Sequence, residues 1–190
     1  LFGLMDLNTT ILIPALYQQF NGFRQIMYTR DPNPYAMVMR DSLYGYINLK
    51  GKEVIPCKYK HLGYEIHNNR VFYQENNKYG FLDTTGKAVV AQVYDRVFDF
   101  IIDVTAVQKG EKWAIINDKG KLVTEFIYDM IVGHTWYDQQ FVVVYQNKKC
   151  GVIDKKGNLV LPIEYEAIHD FSQAIGLKPE FRVTKNGSTY

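Results

Sequence analysis

The chain has 190 residues, 47% of them hydrophobic and 15% aromatic, with a formal net charge of +2. That apolar content favours an ordered chain over a disordered one, and so small a net charge argues against bulk nucleic-acid binding. No apolar run is long enough to cross a membrane as a helix.

Read along the chain, one phrase recurs five times. An aromatic and a small residue open a strand that ends in Asp or Asn; a tight turn, an aliphatic run and a Tyr complete it. The first copy has Phe2-Gly3, the turn Asp6-Leu7-Asn8-Thr9-Thr10 and Tyr17. The second has Tyr44-Gly45, Asn48 to Lys52, Pro56 and Tyr59. The third has Tyr79-Gly80, Asp83 to Lys87 and Tyr94, and the fourth has Trp113-Ala114, Asn117 to Lys121 and Tyr128. The fifth has Cys150-Gly151, Asp154 to Asn158, Pro162 and Tyr165. A period of roughly 35 residues marks a repeat array, in which no unit buries its own apolar face alone. The units run approximately 1–36, 37–70, 71–102, 103–139 and 140–180. Residues 181–190 supply the first strand of a further or closing unit, and the ends read as those of a fragment or a processed chain.

Each copy is expected to supply three short antiparallel strands and an irregular return holding the Tyr. The Asp or Asn caps the turn amides, and the Gly after it supplies a positive φ. In the first copy Thr9 stands where Gly belongs, so Asn8 is expected to take the left-handed conformation instead. The small residue after the aromatic lets a neighbouring backbone or ring approach closely. Pro14, Pro56 and Pro162 end ladder pairing. An apolar residue follows each Tyr at the third position (Phe20, Leu62, Val97, Ile131, Ile168), which fits a helical turn or a short bend. Because the position holds Tyr and never Phe, its hydroxyl is expected to be hydrogen-bonded.

These phrases resemble the WG-repeat family, bacterial β-repeats named for a Trp-Gly pair. The match is clearest at Tyr79-Gly80-Phe81-Leu82-Asp83 with Gly86-Lys87 and Tyr94-Asp95, and at Cys150-Gly151-Val152-Ile153-Asp154 with Gly157, Pro162 and Tyr165-Glu166. It covers essentially the whole chain, although Trp survives only at Trp113, where Ala114 replaces Gly. The fold expected is all-β, with tandem three-stranded units in an open curved stack; a closed five-bladed β-propeller is the alternative. The resemblance carries no agreed activity. It points to the bacterial cell envelope or secretion, with the cytoplasm also open.

Chemistry-bearing residues are sparse. His61, His67, His134 and His169 show no zinc spacing, and no nucleophile elbow, phosphate loop or dinucleotide fingerprint is present. No cofactor is therefore expected. Cys57 and Cys150 occupy different positions in the phrase and read as free, partly buried thiols. Lysines gather at the hairpin turns (Lys50, Lys52, Lys87, Lys119, Lys121, Lys155, Lys156). Acids gather on the Tyr side (Asp95, Asp99, Asp129, Glu164, Glu166, Asp170), where Lys58 and Lys60 break the pattern. Such segregation steers a charged partner; a solvated rim that blocks edge-to-edge pairing is the plainer reading.

Departures from the repeat mark candidate binding residues. The return of the first unit, Arg24 to Ala36, contributes Arg30, Asp31 and Tyr35, and that of the fourth contributes His134, Trp136 and Tyr137. The leading expectation is a non-catalytic scaffold that binds another protein, in a narrower form an immunity or inhibitor protein. The alternative is a carbohydrate or cell-wall binding module that stacks sugars on Tyr35, Trp136 and Tyr137. A hydrolase, with two carboxyls facing across a cleft, is the second alternative.

Overall fold

The computed structural model of the chain describes residues 1–23, 34–100, 103–132, 141–172 and 180–190, and every regular element in them is a β-strand. The chain divides into two compact units, Leu1–Phe100 and Ile101–Tyr190. In the first, β1 (Phe2–Met5) pairs with β2 (Ile11–Tyr17) alone. β3 (Gln19–Phe20), β4 (Tyr35–Arg40), β5 (Leu43–Asn48) and β6 (Glu53–Tyr59) then form a four-stranded antiparallel meander. β7 (His61–Leu62), β8 (Arg70–Glu75), β9 (Lys78–Asp83) and β10 (Ala88–Tyr94) repeat it, and β11 (Arg96–Val97) follows. In the second unit β12 (Val104–Lys109) and β13 (Lys112–Asn117) form a hairpin. β14 (Met130–Val132), β15 (Phe141–Gln146), β16 (Lys149–Asp154) and β17 (Leu159–Tyr165) form another meander of four. β18 (Ala167–Ser172), β19 (Glu180–Lys185) and β20 (Ser188–Thr189) complete it.

The expected class, all-β tandem repeats of short antiparallel sheets, is the observed one. In the three meanders of four, the sheet has one strand more than expected. The residues after each Tyr are extended, not helical or simply bent. Phe20 of β3 pairs with Val38, Leu62 of β7 with Tyr73, Ile131 of β14 with Val144 and Ile168 of β18 with Val183. Each return thus lends a short strand to the sheet of the next phrase.

That overlap is matched by the core, which lies between successive sheets. Along β4, Tyr35, Ala36, Met37 and Val38 are all buried. Alternation sends Ala36 and Val38 to a cluster with Ile13, Tyr17 and Ile47. It sends Tyr35 and Met37 to the opposite cluster, with Tyr46, Ile55, Tyr59, Leu62, Val71, Tyr73 and Leu82. A strand covered on both faces reads as a continuous apolar run rather than an alternating one. In the second unit Val143, Cys150 and Val152 meet Ile168 and Val183 of the following sheet in the same way. Within each unit, these sheets therefore borrow apolar cover from their neighbours in sequence.

Opposite each small residue, the partner strand bulges. Tyr44 faces Tyr59 and Tyr46 faces Ile55, so two residues of β5 span four of β6. The same jump separates Phe2–Tyr17 from Leu4–Ile13, Tyr79–Tyr94 from Phe81–Val90, and Cys150–Tyr165 from Val152–Leu161. Pro14, Pro56 and Pro162 sit inside these bulges rather than ending the strands, where a missing N–H breaks no ladder bond. The bulged backbone leans onto the small residue: a Cβ on Gly45 would lie 2.5 Å from the Ile55 carbonyl oxygen. Where Ala114 replaces Gly, no regular third strand forms. Isolated bridges Ile116–Leu122 and Trp113–Tyr128 take its place.

The turn between second and third strands is built alike in every copy. The Asp6, Asn48, Asp83, Asn117 and Asp154 side chains each accept hydrogen bonds from the amides two and four residues on, at 2.8–3.1 Å. Gly51, Gly86, Gly120 and Gly157 have φ between 72° and 84°. In the first copy it is Thr9, not Asn8, that adopts this conformation, at φ 65°. The amide–carbonyl bond from Thr9 N to Asp6 O fixes the register, so the strain falls on a β-branched residue. Replacing Thr9 by Gly should therefore raise stability by about 1 kcal/mol, net of the freedom glycine gains in the unfolded chain. A lower denaturant midpoint for Thr9→Gly would refute this.

Two of the aspartate caps, Asp83 and Asp154, are shifted in the fold. Burial raises the Asp83 carboxyl, but the Thr85 hydroxyl, the Lys87 and Thr85 amides and the Arg70 charge more than offset it, so its pKa lies below the ordinary carboxylate value. Asp154 behaves likewise: burial is outweighed by the Asn158 side chain and the Asn158 and Lys156 amides. A lowered folded-state pKa contributes stability above the unfolded value, about pH 4, and loses it as pH falls through the folded one. Asp99 acts in the opposite sense, because burial raises it despite His67 nearby. The Asn48 and Asn117 turns show that an amide makes the same two bonds. Hence Asp83→Asn should match the parent protein near neutrality and lose less stability as pH falls below about 4. Equal acid slopes in urea titrations of the two proteins would disprove this.

Candidate interaction surface

The rigid turn places its lysines outward. Lys50, Lys52, Lys87, Lys119, Lys121, Lys155 and Lys156 are all exposed. None forms an ion pair among the described residues. Within each compact unit the turns follow one another along an edge, because each packs on the third segment of the phrase before it. A Cβ on Gly51 would lie 3.0 Å from the Ile13 side chain, on Gly86 3.1 Å from the Val54 carbonyl oxygen, and on Gly157 3.1 Å from Val123 and Thr124.

Four of the acids on the Tyr side are spent internally. Lys78 pairs with Asp95 and Lys112 with Asp129, while Lys149 reaches Glu166 at 3.5 Å and Lys185 reaches Glu164 at 2.9 Å. Asp129 also accepts the Asn147 amide at 2.7 Å, and Glu166 accepts the amides of Asn186 and Gly187 at 3.2 Å. Amide donors and lysine partners hold both carboxyls below their ordinary values: Lys112 first for Asp129, the Gly187 amide first for Glu166. These acids cap hairpins, a role that their sequence positions alone did not disclose.

Of the residues singled out from the sequence, Arg30, Asp31, His134, Trp136 and Tyr137 lie outside the described residues. Tyr35 lies within them and is buried, with 8% of its surface accessible, in the cluster beneath β4. Its ring is core, not an exposed platform for a sugar; as the first residue of a strand covered on both faces it has no open side. Cys57 and Cys150 are free thiols, half-buried and buried, and burial raises both. Glu65, His67 and Asp99 gather in the first unit, with His67 Nε2 3.5 Å from Glu65 and Asp99 sensing both. Among the described residues no helix is long and apolar enough to cross a membrane.

No curated protein matches the chain. Solved structures do. A crystal structure of a eukaryotic initiation factor aligns with a TM-score of 0.52 at 9% identity, over 92% of this chain and 54% of that one. Two structures of Hsv2 from Kluyveromyces lactis align at TM-scores of 0.41 and 0.38, with 11% and 10% identity, over 80% and 82% of this chain and 52% and 58% of theirs. The chain thus spans about half the length of these structures, and the likeness to the first shows a shared β-fold alone. The family model for WG containing repeats matches residues 44–79, 79–113, 114–150 and 151–175 in tandem. These segments begin at or next to the aromatic or small positions of the phrase and take in its bulged closing segment, so the chain belongs to the family of WG containing repeat proteins.

Proposed function

We propose that this chain is a non-catalytic β-repeat scaffold that binds another protein, with the lysine-bearing turns of its first unit as a contact edge and an acidic face on its partner. The supporting observation is the set of exposed, unpaired lysines on turns whose amides are already satisfied. Lysines that only block strand addition belong on open strand edges; these stand on closed turns, where no ladder is available to extend. A narrower form of the reading is an immunity or inhibitor protein that holds its target tightly. The sugar-binding alternative loses Tyr35 as a stacking platform.

Charge steers encounter more than it deepens affinity. The variant Lys50→Glu/Lys52→Glu/Lys87→Glu should therefore keep the parent melting temperature. With a partner captured by the parent protein, its association rate at low salt should fall about tenfold or more. The parent's own rate should drop as salt is added. An association rate that the triple variant leaves unchanged would overturn the reading.

A further inference from the structure

In four places the same hairpin recurs: a return strand pairs with the first strand of a two-residue hairpin whose tip residues both have positive φ. The tips are Asp41-Ser42, Asn76-Asn77, Asn147-Lys148 and Asn186-Gly187, with φ between 52° and 73°. The register is constant. Gln19 faces Met39, His61 faces Gln74, Met130 faces Tyr145 and Ala167 faces Thr184, in each case two residues before the tip. The residue just after the closing Tyr therefore stands in one fixed place beneath each tip. In three copies it is an acceptor that takes tip amides: Gln18 Oε1 from Ser42 at 2.9 Å, Asp129 from Asn147, and Glu166 from Asn186 and Gly187.

In the remaining copy that residue is Lys60, which accepts nothing. No hydrogen bond reaches the Asn76 or Asn77 amide among the described residues. A depression of about 400 Å³ opens at this spot, lined by Lys58, Tyr59, Lys60, His61, Gln74, Glu75, Asn76 and Asn77. Lys58 Nζ stands 5.1 Å from the centre of the Tyr59 ring, and Lys60 forms no ion pair among the described residues. The acid on this rim, Glu75, is turned to the Gln92 amide at 3.4 Å.

We propose that this depression is a binding site for a carboxylate supplied from outside the chain. The carboxylate would occupy the place that Asp129 and Glu166 fill from within, accept the Asn76 and Asn77 amides, and be neutralised by Lys58 and Lys60. Paired backbone amides at consecutive positive-φ residues with cations beside them favour a small anion. The three filled copies identify its chemistry as a carboxylate or its amide counterpart. The site is separate from the lysine-bearing turns and stands whether or not those turns bind a protein.

The test is amide NMR on the whole chain with three probes: sodium acetate, the capped peptide acetyl-Gly-Glu-Gly-amide, and inorganic phosphate, each against sodium chloride at equal ionic strength. Acetate or the peptide should move the Asn76 and Asn77 amides to saturation. Tighter binding of the peptide would assign the site to protein side chains, and equal binding to free carboxylates. Lys60→Glu supplies the carboxylate from within, so it should abolish the saturable shift while raising the melting temperature. Lys58→Ala/Lys60→Ala should weaken binding at least fivefold with the fold intact. The proposal falls if these amides do not move, if chloride moves them equally, if phosphate saturates where carboxylates do not, or if Lys60→Glu still responds.

Discussion

Gly80→Ala should cost about 3 kcal/mol, at the top of the range for forcing an extra methyl into packed structure. The added Cβ would stand 2.5 Å from the Val90 carbonyl oxygen, 2.8 Å from the Gln92 amide nitrogen and 2.9 Å from the Ala91 carbonyl carbon. These are backbone atoms of the β10 bulge, and none can turn aside as a side chain would. The chain contains its own control. Ala114 occupies the equivalent place, and there the third strand is replaced by isolated bridges, with the Ile115 amide donating to the Thr124 hydroxyl instead. Relief by the same route in Gly80→Ala would dismantle the β9–β10 ladder. Urea unfolding of Gly80→Ala measures the loss. A cost below about 1 kcal/mol would show that the bulge yields easily and that the small residue is not what the bulge demands.

Much of this was legible in the residues. A phrase with a fixed order of aromatic, small residue, Asx turn and Tyr can only be a strand–turn–strand unit, and its repetition forces neighbours to share apolar cover. The Asx side chain and the glycine three residues on specified the turn down to its hydrogen bonds. What was not legible followed from contacts that local pattern does not encode. The extended return after each Tyr is set by pairing with the next phrase, so its spacing mimicked a bend. The capping role of Asp129 and Glu166 depends on tip amides 18 to 21 residues away. A trace was present, since Gln18, Asp129 and Glu166 are acceptors and Lys60 is the exception, but only the register shows what that exception leaves open. Tyr35 looked like a loop aromatic because it follows a proline-rich insertion; the strand it begins is closed on both faces.

Removing the Tyr59 ring should be among the most damaging single changes: Tyr59→Ala is expected to cost about 3–5 kcal/mol, as for other large buried aromatics. The ring is buried between β6 and the following sheet and meets Tyr73 edge-on at 5.5 Å, with Lys58 above its face. Tyr59→Phe, by contrast, should change stability by less than about 0.5 kcal/mol, the range of a surface substitution. The sequence suggested otherwise, because a position that is always Tyr invites a hydrogen bond. The structure gives the hydroxyls of Tyr17, Tyr59, Tyr128 and Tyr165 no protein partner among the described residues. No fully buried side-chain polar atom is left unpaired there, so these hydroxyls touch solvent. Tyrosines elsewhere in the phrase are bonded, among them Tyr46 to the Gly63 carbonyl at 2.8 Å and Tyr73 to Gln92 at 2.6 Å. Tyr59 is then an amphipathic choice: its ring seals the seam opposite the aromatic of β5, and its tip stays wet where a Phe edge would face water. Chemical denaturation of both variants separates the two roles. If Tyr59→Phe loses 1 kcal/mol or more, the size of a buried hydrogen bond, the hydroxyl holds the repeats together and the ring alone does not.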